Sequence, residues 1–134
     1  MSILSIAILF FIIMESANVL IFYFWPDSRL GNGVGVFNAF HDSADEEQKL
    51  FTSYLVNWVA GVKLIFIFLL AVILVIGSEQ VRMWAVVAMI LSIATYFWRL
   101  HPIIKKLDAM GCIISGFLIM FTAALAVHII TGVI

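Results

Sequence analysis

The sequence predicts an all-α integral membrane protein built as an antiparallel bundle of four transmembrane helices, and three observations carry that prediction. Of the 134 residues, 65% are hydrophobic and only 11% are charged, with a mean hydropathy of +1.20; a soluble domain typically holds about 25% charged residues. Four apolar runs, residues 2–25, 54–76, 81–98 and 112–134, approach or exceed the roughly 20 residues that a helix needs to cross about 30 Å of hydrocarbon. None of the runs shows the alternation of a transmembrane strand, and in lipid only helices and closed barrels satisfy every backbone N–H and C=O. The runs consume most of the chain, so residues 1–134 are expected to form a single domain with an interfacial loop at 26–53.

The first run lacks a basic leader and a small-residue cleavage site, so it is expected to be a helix of the mature protein and not a signal peptide. Pro26 stops it. The loop that follows contains "GNGVG", a turning segment; a nucleotide-binding glycine pattern needs a strand before it and a helix after it, and neither is predicted. Phe37 and Phe40 are placed on the membrane surface. Further on, Ser43 and Glu46 have the spacing of a capping box, and Asp45, Glu46 and Glu47 put negative charge where a helix N-terminus favours it. The acidic run is therefore expected to start a helix that passes directly into the second span, and its spacing does not match a calcium loop. "GSEQVR" joins the second and third spans. "RLHPIIKKLDAMG" joins the third and fourth as an amphipathic connection whose Lys105 and Lys106 suit anionic lipid headgroups. Cys112, the lone cysteine, is expected to be a small packing residue.

Let side A hold both termini and "GSEQVR", and side B the two longer loops. Side B carries Arg29, Lys49, Arg99, Lys105 and Lys106, whereas side A carries only Arg82. The positive-inside rule then places side B in the cytoplasm and both termini outside, in a cell inner or plasma membrane. Trp25, Tyr54, Trp58, Tyr96 and Trp98 gather toward side B and Trp84 toward side A, as interfacial aromatic belts do.

Two charges fall inside the spans, Glu15 and Lys63. Intramembrane charges are expensive, so they face a protein interior or a wet cavity and find partners. Glu15 lies ten residues before Trp25 and Lys63 nine residues after Tyr54, which places both about 14–15 Å from the side-B interface at 1.5 Å per residue. Consecutive antiparallel helices at equal depth predict a Glu15–Lys63 ion pair, with Asn18, one turn from Glu15, as a supporting hydrogen-bond group. Stripes of small and polar residues run along the other spans: Ser53, Asn57 and Gly61; Ala85, Ala88, Ser92 and Thr95; Ser115 and Thr122. They suit close helix packing. Ser92 and Thr122 fall near the depth of the pair and extend it into a secondary polar layer, with Asn57 a further candidate on the path. His128 is placed near side A, away from that layer.

No catalytic signature is visible: no GxSxG, no HExxH and no nucleophile–base pair. A bis-histidine haem needs two facing histidines within the spans, whereas His128 is the only one, and no carboxylate–histidine repeat suits a metal. The expectation is a protein that is not an enzyme, with no cofactor and no metal. The leading function is transport or a channel, with Glu15 and Lys63 lining an ion, proton or small-solute path. A non-catalytic subunit or assembly factor of a larger membrane complex is the alternative, and a lipid- or quinone-binding protein is a third. Membrane lipids are the expected partners, with a homo-oligomer or a heteromeric membrane partner; nothing suggests nucleic acid. A four-span layout recurs among unrelated membrane proteins and by itself transfers no function.

Overall fold

Each helix begins and ends where local chemistry allows it. In the computed structural model, which describes residues 1–26, 45–99, 102–103 and 112–132, Ser2 caps the first helix, its hydroxyl accepting the N–H of Ser5 at 3.2 Å. This helix, α1 (Ile3–Phe24), ends at Trp25, whose N–H still bonds Ile21 O at 2.8 Å, one residue before Pro26. The second, α2 (Glu46–Ile76), is capped by Asp45, which accepts the Glu47 N–H at 3.0 Å, and it carries Glu46 and Glu47 in its first turn. Gly77 closes it. A side chain at Gly77 would run into the carbonyl of Ile73, so glycine is required there by close backbone approach. Ser78 then accepts the N–H of Val81 at 3.3 Å and opens α3 (Glu79–Arg99), and α4 (Cys112–Gly132) follows.

All four helices are long and apolar enough to cross a membrane, and no strand occurs among the described residues. The helix cap is Asp45, whose carboxylate one residue before the helix reaches the orphan N–H of Glu47 directly. As expected of the acidic run, the charged turns pass without a break into the apolar span, so α2 reaches 31 residues, about 46 Å at 1.5 Å per residue; the interfacial loop, bounded at 26–53 from the sequence, thereby loses residues 46–53 to the helix. The readings placed on Ser43, the glycine string, Phe37, Phe40, Lys105, Lys106 and the Cys112 side chain lie outside the described residues.

In the packing, α1 contacts each of the other three helices and α3 contacts α2 and α4 as well. The interior is built from residues spaced alternately four and three apart, the spacing that keeps one seam facing its neighbours. On α1 the seam reads Leu4, Ile8, Phe11, Glu15, Asn18, Phe22; on α2, Val56, Ala60, Lys63, Ile67, Leu70, Leu74. On α3 it reads Arg82, Val86, Met89, Ile93, and on α4 Phe117, Phe121, Ala124, His128. Leu4, Ile8, Leu70, Val86, Phe117 and Phe121 form one core drawn from all four helices. Phe11 meets Phe117 edge-on at 4.9 Å and Phe121 at 5.4 Å between ring centres. A second, smaller cluster of Val19, Ala60 and Ile67 lies between α1 and α2. In lipid such close packing, and not the expulsion of water, holds helices together. Trp25, Tyr54, Trp58, Trp84 and Trp98 all point outward.

Candidate functional site

The seam positions that carry charge fall in two places, one beside each end of the apolar core. Along α1, Glu15 and Asn18 continue the inward face that Leu4, Ile8 and Phe11 begin. Along α2, Lys63 continues the face of Ala60. Ala60 is fully buried, and at Gly61 a side chain would only just meet the Tyr23 hydroxyl, 4.0 Å away. The small side chain of Ala60 lets the two helices approach.

Across that gap the Lys63 Nζ lies 2.8 Å from Glu15 Oε2 and donates to Asn18 Oδ1 at 2.6 Å. The Phe22 ring centre is 5.2 Å from the same ammonium, within cation–π range. One cation is thus held by a carboxylate, an amide oxygen and an aromatic face, drawn from about two turns of α1. The side chains remain 29% exposed for Lys63 and 17% for Glu15. The triad sits at the α1–α2 boundary and is open at its edge; the Phe11–Phe117–Phe121 stack fills the interior on the side-A side of it.

The structure does not bring the other sequence-chosen polar residues to this place. Asn57 is exposed, and its amide donates to Ser53 O at 2.8 Å. Ser92 and Thr122 are exposed, and their hydroxyls donate one turn back to Ala88 O at 2.8 Å and Leu118 O at 2.7 Å. Each lies one residue off its helix seam, beside Val56, Ile93 and Phe121 respectively. Depth alone placed them in a layer with Glu15, but a one-residue offset turns a helical side chain by roughly 100°, and that removes them from the interior.

A second polar group was not anticipated as a site. The beginnings of α1 and α3 and the ends of α2 and α4 bring together Ser2, Glu79, Arg82, the Leu74 carbonyl and His128. Arg82 donates through Nη1 to Glu79 Oε2 at 3.1 Å and through Nη2 to Leu74 O at 2.9 Å. His128 Nδ1 stands 3.6 Å from Glu79 Oε1, and the hydroxyl of Ser2 lies beside the Glu79 carboxylate and 3.0 Å from that of Ser5. The signal for it was the seam: Arg82 continues Val86 and His128 continues Ala124.

An open groove of about 370 Å³ runs between α1 and α4, lined by Ile3, Ala7, Phe10, Met120, Ala123 and Val127 among others. Its wall is apolar throughout, with no group to hold a polar headgroup. Among the described residues no three of His, Cys, Asp and Glu converge as metal ligands. The chain matches no known family model, no curated protein and no solved structure.

Proposed function

We propose that the chain is a small multi-pass membrane transport protein in which Glu15 exchanges a proton or small cation and Lys63 acts as its counter-charge. The observation that supports this most is the double coordination of the Lys63 ammonium, 2.8 Å from Glu15 and 2.6 Å from Asn18, at an edge that is not fully closed. An ion that arrives at Glu15 competes with the ammonium for the carboxylate. Asn18 Oδ1 and the Phe22 face then retain the ammonium, so the exchange does not strip every partner from a charge inside the membrane, where such groups cost most. In this proposal the spans alternate in direction, side B faces the cytoplasm and the termini lie outside.

Reconstitution into proteoliposomes tests it. Imposed proton and alkali-cation gradients are expected to dissipate faster with the native chain than in empty vesicles, and Glu15→Gln is expected to abolish that difference. Equal flux from both proteins counts against any role for the pair in transport.

A second reading has its own support. Only 6% of the apolar window of α3 is buried within the chain, against 28% for α1, and its outer face carries Ala88, Ser92 and Thr95, all exposed. Small and hydroxyl residues on an uncovered membrane helix suit contact with another helix. A homo-oligomer fits the transport reading, whereas a different membrane protein on this face makes the chain a subunit or assembly factor. Purification from native membranes separates the two, since a stable heteromeric partner favours the subunit.

A further inference from the structure

The cluster at the side-A end leaves two buried atoms unprovided for, Arg82 Nε and one oxygen of Glu79. Glu79 Oε2 is bonded to Arg82, but Oε1 is buried and has no hydrogen-bond partner. Nδ1 of His128 stands 3.6 Å from it, just outside hydrogen-bond range, and the Ser2 hydroxyl lies beside the same carboxylate. We infer that His128 is a proton-binding site, and that on protonation its Nδ1–H donates to the orphaned Oε1 of Glu79 and clasps the end of α4 to the start of α3.

The geometry around the ring suits such a bond. Imidazole is the side chain whose charge ordinarily changes between about pH 5 and 8. His128 stands four residues before the end of α4 and Glu79 lies in the first turn of α3, so the two helix ends bring ring and carboxylate together. The other ring edge of His128 faces Gly132, which leaves Nδ1 directed at α3. From α3 the facing groups are Glu79 and Arg82. Arg82 is a like charge, but its Nη atoms are committed to the opposite carboxylate oxygen and to Leu74 O. From α1 come the uncharged Ser2 and Ser5, preceded by the α-amino group of exposed Met1, and α2 contributes only the carbonyl of Leu74. The binding step is simple: one proton is taken up at the ring, no bond to carbon changes, and the gain is a charge-assisted hydrogen bond where a carboxylate oxygen had none. This inference does not rest on the transport proposal.

Thermal unfolding of the full chain in nanodiscs at about pH 5.5 and about pH 8 tests it. The sign follows from the bond: stability supplied by the clasp is present at the lower pH and lost as pH rises through the histidine range. The native chain is expected to melt a few degrees higher at the lower pH, relative to the response of His128→Gln and of Glu79→Gln, which lose the same increment; the double variant loses no more than either. An unchanged pH response in His128→Gln overturns the inference. Because these variants can fail to fold, a second measurement uses the chain carrying His41→Gln and His101→Gln, which leaves His128 as the one histidine of the three. Nitrogen NMR of its ring is expected to pass from neutral to protonated between those pH values. A ring that stays neutral throughout overturns the proton site directly.

Discussion

The two charged clusters use the same kinds of residue on the same helix seams, yet they are finished differently. At Glu15 a single cation meets two oxygens and an aromatic ring, and both charged side chains have partners. At Glu79 the arginine reaches two oxygens while one carboxylate oxygen and the Arg82 Nε are buried without partners. The first cluster joins two helices; the second gathers the ends of four. Between them lies the apolar core of Leu4, Ile8, Phe11, Leu70, Val86, Phe117 and Phe121, so neither set of charges can compensate the other. Position along the helix decides the difference. The mid-helix cation is satisfied by groups of the facing helix, while the carboxylate at the helix ends has a titratable neighbour, His128, within 3.6 Å.

Removing partners one at a time sharpens this contrast. The largest effect is expected from Lys63→Ala, which leaves the Glu15 carboxylate without its cation. A loss of about 3 kcal/mol in reversible unfolding is expected, at the lower end for a broken buried pair because the site keeps an open edge. The double change Glu15→Gln with Lys63→Met is expected to cost clearly less, since it strands no charge. Equal losses would mean that the two groups are energetically independent despite their contact. Next comes Arg82→Met, which gives up hydrogen bonds to Glu79 and Leu74; about 2 kcal/mol is expected by the same assay. A cost above that of Lys63→Ala would reverse the ranking of the two clusters. The smallest effects belong to Ser92→Ala and Thr122→Val, expected within about 0.5 kcal/mol in the isolated chain, because those hydroxyls bond only their own helix. A large loss for either in native membranes but not after purification would locate a partner on that face.

Much of the fold was legible in advance because helices long and apolar enough to cross a membrane announce themselves by length and composition. The runs ending near Trp25 and Ile76 became α1 and α2, with their ends explained by Pro26 and Gly77. The start of α2 was legible in kind but not in place, since Ser43, Asp45 and Glu46 compete to cap the same turn. Within the site, equal depth was enough to pair Glu15 with Lys63 and to add Asn18. The same criterion misled at Ser92 and Thr122, because depth fixes height along a helix and says nothing of direction around it. The four-and-three spacing would have separated Lys63 from Asn57 and His128 from Thr122, since only the former of each pair continues a seam.

What the sequence determined by itself was a set of four apolar helices, their approximate ends and the depths of the charges, all of which follow from local chemistry and the 1.5 Å rise of an α-helix. What only the tertiary structure decided was which faces meet. Arg82 reaches past its own helix to the Leu74 carbonyl, and His128, forty-nine residues beyond Glu79 in the chain, comes to stand 3.6 Å from it. The reason is that side-chain partnership between helices depends on rotation and close approach, and these are set jointly by the packing of Phe11, Phe117 and Phe121 and by the small, fully buried Ala60.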